Sequence, residues 1–139
     1  MGLRSFIHRM TAPRANGHAA VHGSMKLVCV VNQSLKMGKG KIAAQVGHAS
    51  VESFLRAGTT HPAHLDAWLS GGQKKICLKA KDEAVFAELK QAADKEQIPC
   101  HIVRDAGHTQ IPSGSQTVLA LGPYGEEHLD NITRHLKLL

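Results

Sequence analysis

Lys26-Leu-Val-Cys-Val-Val-Asn-Gln33, followed by Met37-Gly-Lys-Gly-Lys-Ile-Ala-Ala-Gln-Val-Gly-His48, decides the fold. The first segment is a short β-branched apolar run, the pattern of a strand buried on both faces. The second opens on a Gly38/Gly40 turn and continues as a helix from about Lys41 to Ala57, with Ile42, Val46, Ala49 and Phe54 for its packed side. A helix start approached by glycine, with its first amides open and lysines beside it, favours anions. From Lys41 onward, Gln45, His48 and Glu52 recur at offsets of four, three and four, on or near one helix face. The plainer reading keeps Lys39 and Lys41 as solvated charges, Gln45 as an exposed helix residue and His48 as a hydrogen-bonded, partly buried histidine. Lysine is disfavoured at a helix N-terminus by the dipole, so two of them call for exposure or a compensating anion.

Outward from this unit, Gly58-Thr-Thr breaks the helix and a short helical segment spans about Ala63 to Leu69 before Gly71-Gly72. Lys74 to Ala80 alternates polar and apolar like a strand. A helix follows near Asp82 to Glu96, capped by Asp82, with Val85, Phe86, Leu89 and Ala93 at helical spacing. Pro99 to Val103 and Gln116 to Leu121 read as the third and fourth strands, and Glu126 to Leu136 as a final helix. The loop from Asp105 to Ser115 is too short for a helical crossover, so strands three and four pair antiparallel. The expected architecture is a single-domain α/β fold: a mixed, mostly parallel four-stranded sheet with helices on both faces.

The chain has 139 residues, the size of one domain, with 42% apolar content and a formal charge of +6 that suits a polyanionic partner. No apolar run reaches the length of a membrane span. Cys29, Cys77 and Cys100 lie far apart and form no CxxC pair, which suits buried thiols in a reducing compartment rather than disulfides or a zinc site. Residues 1–24 differ in kind: arginines, histidines and small residues, with no acid. They read as a basic leader or flexible extension, with residues 25–139 as the folded domain.

A second dense motif, Arg104-Asp-Ala-Gly-His-Thr-Gln110, lies at the carboxyl end of strand three, where open α/β sheets bind ligands. Strand one enters its glycine turn at the same end, so Asp105 is expected near Lys41, with Thr109 and Gln110 as neutral hydrogen-bonding neighbours. The duller alternative has Asp105 and Thr109 merely capping a tight turn at Gly107. Other site classes fit poorly. GKGK lacks the gap and the Ser/Thr of a P-loop, and no GxGxxG or GxSxG is present. Among ten histidines only His61 and His64 are spaced at all suggestively, and they read as surface residues, so no metal site is expected. Aromatics are too few for base-stacking platforms.

MGKGKIAAQVGHA at residues 37–49, GGQKKICLKA at 71–80, RDAGHTQIPSGSQTVLALGP at 104–123 and ITRHLKLL at 132–139 occur in order. Together they closely resemble the archaeal and eukaryotic (type 2) peptidyl-tRNA hydrolases, from about Lys26 to Leu139. The resemblance implies an α/β sandwich, a homodimer, no cofactor or metal, and hydrolysis of the ester between a peptide and the tRNA 3′ ribose. It carries the family's catalytic lysine, aspartate and threonine onto Lys41, Asp105 and Thr109, and matches Gln45 and His48. The chain departs from the family at His108, where Arg or Lys is commoner, and at Ser34, where an acid is frequent.

On that resemblance, Asp105 is expected to orient or deprotonate water, and Lys41 with the helix-start amides to stabilise an oxyanion or phosphate. Lys39, Gln45, His48, His108 and Gln110 are expected to bind substrate, and Lys74 and Lys75, with Lys36 and Arg104, to grip the tRNA backbone. Rival readings are a non-catalytic RNA- or protein-binding adaptor and a hydrolase of other aminoacyl esters, such as D-aminoacyl-tRNA. A cytoplasmic location is expected, or a mitochondrial one if the leader is a transit peptide.

Overall fold

The computed structural model describes residues 2–4, 7, 21–108 and 111–139. Strand β1 (Met25–Asn32) leads through a 3-10 turn (Gln33–Leu35) into helices α1 (Lys39–Thr60) and α2 (Pro62–Ser70). Strand β2 (Lys75–Ala80), helix α3 (Glu83–Lys95) and strand β3 (Cys100–Arg104) follow. The chain then forms β4 (Gln116–Gly125), α4 (Glu126–Thr133) and a two-residue β5 (Lys137–Leu138). The order across the sheet is β3-β4-β1-β2-β5.

The sheet therefore has five strands rather than four, and it is not mostly parallel. Among the described residues only β1 and β2 pair parallel; β4 pairs antiparallel with both β1 and β3, and β5 antiparallel with β2. The helical connections do make β1, β2 and β3 run in one direction, as strand–helix alternation suggests. But β4 inserts between β1 and β3 and replaces one would-be parallel contact with two antiparallel ones. The fifth strand arises because α4 stops at Thr133, short of the Leu136 expected from its periodicity. Thr133 Oγ1 donates back to Leu129 O (2.8 Å), Leu136 packs under the sheet, and Lys137–Leu138 joins the edge of β2.

Helices cover both faces, as expected, because β1 is buried throughout and sorts its side chains by the two-residue period of a strand. Val28 and Val30 pack with Phe86, Leu89, Leu119, Leu121 and Leu129 under α3 and α4. Leu27, Cys29 and Val31 pack with Ala49, Ala57, Leu65 and Trp68 under α1 and α2. Lys26, 4% exposed, is tolerated in this strand because its Nζ donates to Asp130 and lies 3.9 Å from Glu126. The packed side of α1 is Gln45, Ala49, Ser53 and Ala57, while Phe54 is 39% exposed. Small residues let the helix lie close on the sheet, so the large apolar side chain is rotated outward.

The three cysteines are free thiols. Burial, reinforced by Cys77 nearby, pushes the Cys29 thiol up to about 12, and burial pushes Cys100 up to about 11. Both stay protonated and behave as small apolar groups. Among the described residues no helix is long and apolar enough to cross a membrane.

Candidate active site

The carboxyl ends of β1 and β3 lie at one end of the sheet, and the two motifs converge there. Gly38 precedes α1 in an extended conformation (φ −69°, ψ 164°), and no described side chain caps the helix. The first helical hydrogen bond runs from Ile42 N to Gly38 O (2.9 Å), so the amides of Lys39, Gly40 and Lys41 stand ahead of the ladder. Lys41 Nζ donates to Asp105 Oδ1. The Asp105 side chain is 2% exposed and that of Lys41 19%. The anion beside this lysine at a helix start is thus Asp105, from the carboxyl end of β3.

Asp105 is held on every side. Its N–H donates to Ser115 O and its carbonyl accepts from Gly114 N, both at 2.9 Å, closing the neck of the β3–β4 loop. Oδ2 accepts from Gly107 N (2.8 Å), so Asp105 both caps the turn with one carboxyl oxygen and meets Lys41 with the other. Gly107 has φ +87°, and a Cβ there would stand 2.9 Å from the Ser113 side chain, so glycine is required. The loop shape that aims the carboxylate depends on it.

One turn beyond Lys41, Gln45 is buried and its Oε1 accepts from Thr117 Oγ1 (2.6 Å); Val103 O lies 3.2 Å from the same hydroxyl. This bolts the first turns of α1 to β4 and, through Val103, to the strand that ends in Asp105. Asn32 does the same for β1: its Nδ2 donates to Gln116 O (2.9 Å) while Oδ1 accepts from Ser34 N and Oγ. Neither Thr117 nor Asn32 stood out in sequence. The only available signal was a polar residue in or ending an apolar strand, which a solvent-facing position would equally explain.

The other expected site residues are dispersed. Lys39 is exposed on the outside of the glycine turn, and His108 is exposed on the Asp105 loop. Thr109 and Gln110 lie outside the described residues. His48 is exposed and lines a cleft between α1 and the edge strand β3, with Val51, His101 and Arg104. Lys74 and Lys75 stand at the start of β2, roughly 17 Å of strand away from its carboxyl end. There Lys74 pairs with Glu126 (2.6 Å), and Lys75 sits 4.8 Å over the Trp68 ring. His61 and His64 form a ring cluster with Tyr124, and no group of three potential metal ligands gathers among the described residues.

The family described as Peptidyl-tRNA hydrolase PTH2 matches residues 25–139. A peptidyl-tRNA hydrolase of Methanocaldococcus jannaschii is 48% identical over 115 residues, covering 83% of this chain and 100% of that protein. A probable peptidyl-tRNA hydrolase 2 of Drosophila melanogaster is 43% identical over 123 residues, 88% of this chain and 66% of that one. The fold is shared with a solved structure of a protein of unknown function from Agrobacterium tumefaciens, at TM-score 0.58 and 10% identity over 83% of this chain and 97% of that one.

Proposed function

The chain belongs to the PTH2 family of peptidyl-tRNA hydrolases, and from that premise we propose that the Lys41–Asp105 pair is its hydrolytic centre. The enzyme is an ester hydrolase that cleaves peptide from the tRNA 3′ end and returns tRNA to use. The observation that carries the assignment of the centre is the buried ion pair at the glycine-approached helix start. Asp105 orients water and accepts its proton as the oxygen attacks the acyl carbonyl. Lys41 and the leading amides of α1 hold the oxyanion, and the bond to the ribose oxygen then breaks, the proton passing to that oxygen. A labile aminoacyl ester needs no covalent nucleophile.

Thr109 positions the water or the terminal ribose. Lys39, His108 and Gln110 contact the acceptor end, and His48 the substrate passing along α1. Gln45 acts with Thr117 by fixing the helix turn that carries Lys41. Thr117→Val keeps the shape but deletes the donor to a buried amide oxygen, a loss of about 1–3 kcal/mol. We expect kcat to fall about tenfold with KM nearly unchanged, read by steady-state kinetics beside a thermal melt; unchanged kcat removes Thr117 from this role.

Assay of N-acetylaminoacyl-tRNA against D-aminoacyl-tRNA at matched concentration tests the substrate class. Preference for the N-blocked ester is expected. Preference for the D-ester replaces the assignment, and cleavage of neither supports a binding adaptor.

The enzyme works as a homodimer. Val51, Phe54 and Leu55 expose one apolar stripe on α1, beside β3 with its outer edge unpaired in this sheet. Sedimentation should give twice the 15.0 kDa chain mass, and Leu55→Glu the single mass; a monomeric parent protein refutes the dimer. The location is cytoplasmic, or mitochondrial if residues 1–24 are a transit peptide; imaging a C-terminally tagged chain decides.

A further inference from the structure

At the edge of the sheet, Lys79 of β2 and Lys137 of β5 stand directly opposite each other in antiparallel register. Opposed residues share a sheet face with Cβ atoms about 5 Å apart, and like charges so placed destabilise the pairing. With Lys81, His135 and Gln33 they line one cleft at the carboxyl end of β2, to which α3 contributes Glu88. Asp82, which follows Lys81 in the chain, is committed to capping α3, accepting from Ala84 N. Among the described residues none of Lys36, Lys79, Lys81 or Lys137 is in an ion pair.

Several lysines elsewhere are treated differently, although Lys75 and Lys95 likewise have no ion pair among the described residues. Lys26 and Lys74, at the opposite end of the sheet, are neutralised by Asp130 and Glu126, and Lys90 on α3 by Asp94. Among the described lysines without an ion pair, Lys36, Lys39, Lys79, Lys81 and Lys137 lie toward the end of the sheet where Lys41 and Asp105 meet, against Lys75 and Lys95 at the other. The order β5-β2-β1 puts the cleft one to two strand spacings, about 5–10 Å, from the end of β1. The chain leaves β1 through Gln33 and Lys36 into Gly38 and Lys39. A row of cations thus runs from Lys137 and Lys79 past Lys81 and Lys36 to the catalytic turn.

We propose that Lys79, Lys81 and Lys137 cradle the phosphate backbone of the tRNA, so that RNA leaves the catalytic centre across the carboxyl ends of β1 and β2 toward β5. This rests on the hydrolase reading and says which flank of the centre holds the RNA. Two opposed ammonium groups suit the oxygens of one phosphate, with lysine acting as a point charge. The anion also removes the repulsion that β5 bears when unoccupied. The contact reads no sequence and depends steeply on salt. Lys74 and Lys75, assigned to the RNA from sequence, stand at the other end and are not part of this cradle. The competing explanation is that lysines on a short edge strand only discourage edge-to-edge pairing between sheets.

The test uses the full chain with Lys79→Gln/Lys137→Gln together, Lys81→Gln alone, and Lys90→Gln as a control. Each is assayed on N-acetylaminoacyl-tRNA and on the same acyl ester of a CCA trinucleotide, between 50 and 200 mM salt. For full-length tRNA the double variant should raise KM about three- to tenfold and flatten the log–log salt slope by about 1–2. Lys81→Gln should move both in the same direction by less. The parent kcat, the trinucleotide KM and every constant of the control should stay unchanged. An unchanged tRNA KM and slope overturns the cradle, as does an equal loss on the trinucleotide. So does aggregation of the double variant with unaltered kinetics in Lys81→Gln, which is the edge-protection outcome. Loss of binding to phosphatidylserine vesicles with tRNA kinetics intact also overturns it, in favour of a membrane surface. If the parent protein cleaves no N-acetylaminoacyl-tRNA, the hydrolase reading fails instead, an outcome distinct from all of these.

Discussion

Lys41→Ala and Asp105→Asn are each expected to lower kcat on N-acetylaminoacyl-tRNA by about 10²–10⁴, the usual worth of a positioned base or a preorganised oxyanion donor. The two should cost similar amounts, and the double variant little more than either, because each residue holds the other in its working position. Their effects on stability should differ. Removing Lys41 strands a carboxylate that is 2% exposed, and breaking a buried pair from one side costs about 3–5 kcal/mol. Asparagine at 105 keeps the volume and the acceptor for Gly107 N, and the cation whose anion it removes is on a side chain 19% exposed, which water reaches, so it costs less. Kinetics beside denaturant unfolding separate these effects. Near-normal turnover in either single variant, both folded, means that the ion pair is structural and that the centre lies elsewhere.

What sequence reasoning recovered was local. β1, the glycine turn and the start of α1 follow from a β-branched run and two glycines, and the meeting of Lys41 with Asp105 follows from both motifs lying at strand carboxyl ends. What it missed depends on distant parts of the chain. No residue of β4 announces that it inserts between β1 and β3; that is settled by which edges find partners. The length of β5 is two residues, too short for any periodicity, and it exists because Leu136 is drawn into the core. Hydrophobicity alone places Phe54 inside, whereas the closeness of α1 to the sheet selects Ser53 and Ala57 instead. Thr117 and Lys26 show the reverse error: polar residues in apolar strands are buried here because Gln45, Asp130 and Glu126 arrive from elsewhere to satisfy them. The local pattern of Lys74 and Lys75 likewise does not announce that strand direction puts them at the far end of the sheet from Lys41.

Phe86→Ala should separate stability from catalysis. Phe86 is 0% exposed and packs against Val30, Leu89, Leu119 and Leu121 between the sheet and α3. Truncating it leaves a cavity and forfeits the transfer of a whole ring, about 3–5 kcal/mol, against a total of about 5–15 kcal/mol for a domain of this kind. A melting temperature lower by about 10–20 °C is expected. Turnover per folded molecule should nevertheless remain within about twofold well below the melt. Phe86 lies on the face of β1 opposite α1, and Thr117, Gln45 and the Asp105 loop are secured by hydrogen bonds that do not involve α3. Thermal melts with assays at 15 °C, corrected for the folded fraction, measure both quantities. A large fall in kcat in molecules shown to be folded would mean that the α3 side of the sheet sets the angle at which β3 delivers Asp105, and that the centre is not insulated from this core.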